Sequence, residues 1–416
     1  MTNVITIRMK DKTVLLYLFS LLCITGLNTH ASEMTGRFSM LGSTSHATQG
    51  DAGYINKNNT LSADQQSLRF MLDEAKDKSE WSLHTKVARQ HLSDIPFNDN
   101  HSSKLFRYDK LADNWLDEND GSNATRFGYE IDRAFYKQRY KKITFTVGRQ
   151  PIDFGNGRFW QPLNVFGAFA PTDLDTDFKP GIDALRFDWF PSDLSSLTAV
   201  YAFSPNDNIA IEKNTNSALH YRSQVGEQSE YALLAASIID YQIFGASYES
   251  AWGGMGWHLE GAHYNDNKTN KDSVFWIAGV NYQFNNGTLI TAEWYENSRG
   301  ANSVASLTNL PMDNLIIYGL QQHLSQQVFG ISVNKEITPL LNAGYTLLAG
   351  PLKDFDGKRT TSLLHQLNFT YSVSNESDLL FSFQFANGRG LNLLAKPQSE
   401  FGHVPASIAI RLRFYF

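Results

Sequence analysis

The densest set of groups able to do chemistry lies in residues 148–189, GRQPIDFGNGRFWQPLNVFGAFAPTDLDTDFKPGIDALRFDW. Asp153, Asp173, Asp175 and Asp177 stand there against Arg158 and Lys179. Acids at 173, 175 and 177 have the alternate spacing that opens a calcium loop. The glycine such a loop needs at its sixth position is Phe178, however, and the glutamate needed at its twelfth is Ala184, so an EF-type site is excluded. The chemistry left to these residues is electrostatic. An acidic segment facing a basic wall sets up a transverse field, low-dielectric surroundings focus it, and charged rings of that kind tune ion selectivity in pores. The cations that would face it are Arg37, Arg69, His84 and Lys86, with Arg411 and Arg413 from the far end of the chain and Arg186 on the strand leaving the segment. Inward-pointing Glu130, Asp132, Asp188, Glu260 and Glu293 are expected to pair within the wall.

Other chemistries find little support. The eleven histidines are scattered, with no HExxH pattern and no His–Cys pairing. His84 and His258 are not in the His-x-Ser-Asn-Gly context of outer-membrane phospholipases, so nucleophilic catalysis is not expected. No cofactor and no metal site are expected. Cys23 is the only cysteine and lies within the first thirty-one residues. There, Arg8, Lys10 and Lys12 precede an apolar stretch from Val14 to Ile24, and Thr29-His30-Ala31 offers small residues for cleavage, the pattern of a secretory leader over residues 1–31. Its removal leaves a thiol-free chain, suited to an oxidising compartment. It also takes away Arg8, Lys10, Lys12 and Asp11, moving the formal charge from −6 to −8. Neither a nucleic-acid footprint nor a polybasic tail is present.

The elements that would position these groups follow from periodicity. Beyond the leader no apolar run is long enough for a spanning helix. Aromatic residues nevertheless make up 13% of the chain, while its mean hydropathy is −0.34. Short alternating segments account for both facts: ITFTVGR (143–149), GIDALRFDW (181–189), VFWIAGVNYQF (274–284), QVFGISVNK (327–335) and LLFSFQFA (379–386). An aromatic-rich, overall polar chain of such segments is an all-β transmembrane antiparallel β-barrel, with lipid-facing and lumen-facing residues alternating. Residues 32–416 form that barrel, with the third outer loop, 150–180, folded inward. Its Phe154, Phe159, Trp160, Val165, Phe166, Phe169 and Phe178 have no reason to sit in an exposed loop.

Connection lengths set the strand count, since such barrels alternate short periplasmic turns with longer outer loops. Reading 204–229 as one long loop and 230–249 as one long strand makes every connection alternate and gives sixteen strands. A hairpin turning at Asp240 is the alternative, with eighteen strands as the other total. Arg133 and Arg139 fall on the outward side of their strand in this register, which signals a bulge or snorkelling nearby.

The chain closes on ASIAIRLRFYF, with Ile408, Ile410, Leu412, Phe414 and Phe416 on one face and Arg411 and Arg413 on the other. In a closed barrel this strand pairs with the first, because an open edge in lipid leaves backbone groups unsatisfied. Leu412, Phe414 and Phe416 resemble the C-terminal signature of outer-membrane proteins, which implies recognition by the barrel-assembly machinery. Gly148-Arg149-Gln150, Phe154-Gly155-Asn156-Gly157-Arg158, the return strand Gly181–Phe187 and Ile131–Tyr136 together resemble a broad group of outer-membrane porin-like barrels that includes the alginate-export type. The likeness covers about sixty residues.

The resemblance implies a location in a Gram-negative outer membrane and passive passage of small hydrophilic or charged solutes. A constriction would be formed by loop 150–180. Lipid and lipopolysaccharide would be the surroundings, a small solute the cargo, and nucleic acid no partner. The alternatives are an export pore for a polysaccharide-like polymer and a surface receptor or adhesin acting through loops 91–125 and 298–325. Solute, direction of transport and oligomeric state are not fixed by these residues.

Overall fold

The computed structural model describes residues 32–54, 59–93, 106–107, 114–115, 124–204, 216–269, 271–310, 314–317 and 319–416. The expected leader over 1–31 and most of loop 91–125 lie outside the described residues. Eighteen strands follow one another around a closed, all-antiparallel sheet. They are β1 (Ser32–His46), β2 (Thr60–Ala75), β3 (Ser79–Leu92), β4 (Thr125–Tyr140), β5 (Ile143–Gln150), β6 (Ile182–Ser192), β7 (Ser195–Ala202), β8 (Asn216–Val225) and β9 (Ser229–Ile238). The circuit continues with β10 (Tyr241–Trp252), β11 (Met255–Asp266), β12 (Asp272–Gln283), β13 (Leu289–Asn297), β14 (Gln327–Thr338), β15 (Leu341–Lys353), β16 (Arg359–Ser374), β17 (Ser377–Asn387) and β18 (Ala406–Tyr415). A two-residue strand, Asn114–Trp115, lies on β4. Two short helices, α1 (Val304–Thr308) and α2 (Asn314–Ile317), interrupt the connection between β13 and β14.

Closure follows the alternation of the last strand. β18 pairs with β1 from Arg37↔Tyr415 to His46↔Ala406. Ile408, Ile410, Leu412 and Phe414 face outward and exposed, while Ala409 and Arg411 are buried inside. Phe416 continues the seam: its N–H donates to the Gly36 carbonyl (3.0 Å) and its carbonyl accepts from Gly36 N–H (2.6 Å). The Phe416 ring lies so close over Gly36 that a Cβ there would stand 2.3 Å from it. The outer surface elsewhere is the same greasy belt, with Tyr136, Tyr140, Phe145, Phe187, Trp189, Phe244 and Phe369 exposed on it. No described helix is long and apolar enough to cross a membrane.

The count of sixteen strands is corrected to eighteen. Residues 230–249 are a hairpin rather than one strand, with β9 turning into β10 at Ile239-Asp240. The loop expected over 204–229 contains β8. The two additions cancel in parity, so 298–325 stays on the rim of long loops. The hairpin at Asp240, the alternative reading of this segment, is hard to favour from sequence because its residues are unlike turn residues. Ile239 adopts φ 57°, a left-handed conformation that β-branched residues seldom take. Its N–H donates to the Asn216 side chain at 2.7 Å, and Asp240 is held by Lys268 at 2.8 Å. The strands flanking the turn are apolar on both faces, with Leu234, Ala236, Ile238 and Ile243 buried inside and Leu233 and Phe244 exposed outside. Period-two alternation therefore vanishes here.

The anomaly at Arg133 and Arg139 is a bulge. Opposite β4, His84 pairs with Arg133 and Thr85 with Ile131, leaving Asp132 as the extra residue. The phase flips there, which brings Arg133, Lys137 and Arg139 to the same interior side as Glu130 and Asp132; Lys137 and Arg139 both reach Glu80.

Candidate functional site: the loop across the lumen

The loop between β5 and β6 is clamped at its neck. Arg149, at the end of β5, grips Asp183, at the start of β6, through two hydrogen bonds of 2.7 and 2.8 Å, and donates a third to the Ile131 carbonyl at 2.7 Å. Bidentate guanidinium–carboxylate pairing fixes direction as well as distance. The chain between these anchors folds into the barrel.

Its first half, 152–166, packs on one wall. Ile152, Phe154, Leu163, Val165 and Phe166 join Ala184, Val200, Leu234, Ile238, Ile243, Ala262, Tyr264 and Phe275 in one apolar cluster. Phe154 stacks on His220 with ring centroids 4.5 Å apart. Each large side chain buried this way contributes roughly 1.5–3 kcal/mol, which explains why an apolar stretch lies against this part of the wall.

The backbone of the same half is caught by two buried carboxylates. Glu260 on β11 accepts the N–H groups of Asn156 and Leu163, both at 2.7 Å. Glu293 on β13 accepts those of Arg158, Phe159 (2.9 Å) and Trp160 (3.2 Å), and pairs with His258 Nε2 at 2.8 Å. The sharp bend between these contacts needs Gly157, where a Cβ would fall 1.8 Å from the Trp160 carbonyl oxygen. The expectation that Glu260 and Glu293 pair within the wall is thus met only by Glu293, through His258; both chiefly satisfy loop amides that would otherwise be buried without partners.

Trp160 ties this loop to two others. Its Nε1–H donates to His323 Nε2 at 2.7 Å, and His323 Nδ1 meets Glu400 Oε1 at 2.9 Å. A neutral imidazole protonated on Nδ1 satisfies both contacts at once. Glu400 also accepts from Leu324 N (3.2 Å) and Ser325 N (2.7 Å). Burial disfavours the Glu400 charge, but hydrogen bonds from His323 and Ser325 outweigh it and leave its pKa below the usual carboxylate range.

The second half, 170–179, crosses to the opposite wall. Gln366 donates to the Thr172 carbonyl at 3.2 Å. Arg37 on β1 grips Asp175 through two bonds (2.8 and 2.7 Å) and Asp177 through a third (2.8 Å). Asp177 also accepts from Arg413 and from the Tyr415 hydroxyl. Burial alone would raise both carboxyls. Arg37 outweighs it at Asp175, and Tyr415, Arg413 and Arg37 outweigh it at Asp177, so both pKa values fall below the usual range. Asp173 differs. It accepts only Ala170 N–H (2.8 Å), and burial pushes its pKa up. Phe178 follows, its ring 4.8 Å from the Arg37 guanidinium, 4.3 Å from that of Arg69 and 5.9 Å from that of Arg133.

The structure therefore brings Asp175, Asp177, Arg37 and Arg413 into one cluster, with Arg69 and His84 beside it through Phe178. It keeps others apart. Asp153 pairs with Lys179 inside the loop at 3.0 Å, and burial lowers the Lys179 pKa although Asp153 opposes this. Asp153, Arg158, Asp173 and Lys179 line one open recess. Arg69 binds Asp132 (2.5 Å), His84 binds Asp73 (2.9 Å) and Lys86 reaches Glu130 (3.5 Å). Arg411 reaches Asp378 (3.6 Å), and Arg186 is paired with Asp188 on its own strand (2.9 Å). Among the described residues no group of three His, Cys, Asp or Glu side chains could hold a metal ion. Sequence reasoning did not find the link Trp160–His323–Glu400 or the hydroxyl of Tyr415. The only available signal for the latter was its alternation with Arg413.

A closed eighteen-stranded barrel with an apolar outer belt is the architecture of an outer-membrane protein. Neither a protein-family model nor a curated protein sequence matches the chain. Solved structures do share its fold. OccAB4 of Acinetobacter baumannii is 12% identical with a TM-score of 0.58, over 92% of this chain and 98% of that one. OccK9 (OpdG) of Pseudomonas aeruginosa is 10% identical with a TM-score of 0.59 over the same shares. OpdK of Pseudomonas aeruginosa, crystallised with vanillate, is 10% identical with a TM-score of 0.53, again over 92% and 98%.

Proposed function

We propose that this chain is a passive outer-membrane channel for small hydrophilic or charged solutes, narrowed by loop 150–180. One observation carries the reading: the loop packs its apolar half on one wall and spans to the other, where Asp175 and Asp177 meet Arg37 and Arg413. A segment held at both ends across a lumen divides it, and charges of both signs at the division discriminate among ions. Porin barrels of sixteen to eighteen strands leave an aqueous channel. The same fold in OpdK, crystallised with the small aromatic carboxylate vanillate, supports a small solute as cargo rather than a polymer.

Single-channel recording in planar bilayers tests this. Steady conductance with a modest ion preference is expected, and vanillate offers a first probe for solute-dependent block. A folded, heat-modifiable barrel that passes no current would overturn the reading.

A further inference from the structure

Three wall guanidiniums converge on the ring of Phe178 at 4.3–5.9 Å. They come from β1, β2 and β4, and like charges gathered so closely repel unless something binds them. Two of the three are neutralised by carboxylates: Arg37 by Asp175 and Asp177, and Arg69 by Asp132. Arg133 is not. Among the described residues it makes no ion pair and no hydrogen bond, and its Nε is buried without a partner. The acids nearest in sequence and across the sheet are spent elsewhere: Asp132 on Arg69 and Arg107, and Asp73 on His84. Arg133 faces inward only because the bulge at Asp132 turns it there, and bulges beside sites commonly re-aim a side chain in this way. Asp132 and Asp73 attract it through space and Arg69 repels it, but the contact its guanidinium makes at short range is with the ring of Phe178.

We propose that Phe178 is a positioning residue for ion selectivity in the channel: its ring holds Arg133, the one of the three cations that makes no ion pair among the described residues, so that it faces passing anions at the narrow section. The proposal rests on the channel reading. An aromatic face attracts a guanidinium through its quadrupole without neutralising it. A carboxylate in the same place would cancel the charge; a ring fixes the direction and leaves the charge available. The loop's Asp175 and Asp177 supply the opposite sign a few residues away, so the ring separates a neutralised patch from a charged one.

Reversal potentials in a salt gradient test this, with folding checked by heat-modifiability. Phe178→Leu keeps bulk and removes the ring. It should lower the anion-to-cation permeability ratio by about two- to fivefold, the change that loss of a partly solvated cation–π contact produces. Phe178→Tyr and Phe178→Trp, which keep a ring, should hold the ratio near wild type. Arg133→Gln should lower it by itself, and adding Phe178→Leu to that variant should change it little further, because the ring would act through the missing charge. Unchanged ratios in Phe178→Leu, equal losses in Phe178→Tyr and Phe178→Leu, or full additivity with Arg133→Gln would each overturn the inference. Those failures are read with current flowing, whereas a wild type that passes no current strikes the channel reading itself.

Discussion

The two halves of loop 150–180 are held by different physics. Residues 152–166 lie on a wall whose interior is apolar, and are fixed by side-chain burial and by backbone amides seated on Glu260 and Glu293. Residues 170–179 lie against a charged wall and are fixed mainly by ion pairs to Arg37 and Arg413. Burial is insensitive to salt and costly to undo. Ion pairs beside water are screened and reversible, and they retain a field that a passing ion can feel. The first half sets where the loop is; in the proposed channel, the second would set what the narrow section prefers.

Several changes would break or sharpen that contrast. Deleting Gly157–Asp177 removes both halves and should give the largest effect, a clear rise in single-channel conductance; an unchanged conductance would mean that the loop does not narrow the lumen. Glu293→Ala attacks the packed half alone. It strands the N–H groups of Arg158, Phe159 and Trp160, at about 1–3 kcal/mol for each buried donor left unpaired. A lower unfolding temperature and noisier, larger currents are expected, with little dependence on salt.

The charged half should respond through selectivity. Asp175→Asn with Asp177→Asn should shift the reversal potential toward anions and also lower the unfolding temperature, because the buried Arg37 loses both counter-charges. The shift should shrink between 0.1 M and 1 M salt, as the Debye length falls from about 10 Å to about 3 Å. Acid should act in sequence. The pKa of Asp173 is raised by burial, so it takes up its proton first and at a higher pH than a free aspartate. Asp175 and Asp177 have lowered pKa values, so their pairing is complete above the ordinary carboxylate range and is lost only as pH falls through their own values. Selectivity titrated from neutral to acid should therefore move toward anions in two steps. The smallest effect belongs to Gln366→Ala, which removes one neutral hydrogen bond to Thr172 and should alter stability by only about 0.5–1.5 kcal/mol.

The same contrast governs what was legible in the sequence. Around the charged wall, alternation is clean, and Arg37, Arg69, Arg411 and Arg413 were placed inside from period alone. Even the bulge announced itself, because Arg133 and Arg139 could not both face lipid. Around the packed wall the pattern failed. Where the loop covers β9 and β10, interior residues are as apolar as exterior ones, so Leu234, Ile238 and Ile243 read as one continuous strand and the hairpin at Asp240 stands only as the alternative. The loop's tie points were hidden for another reason. Glu260 and Glu293 look like any lumen acid, and their partners are backbone amides, which carry no side-chain signature. His323 and Glu400 lie far apart in the chain, in loops with no period at all.

The reach of these contacts along the chain has a consequence for assembly. Arg158 finds Glu293 across 135 residues, and Asp177 finds Arg413 across 236. A barrel still missing its last strand offers Asp177 neither Arg413 nor the Tyr415 hydroxyl, so the acidic half of the loop lacks part of its dock. The crossing is complete only once the first and last strands meet, so a ring stalled before closure leaves the acidic half of the loop loosely tied while the apolar half keeps its wall.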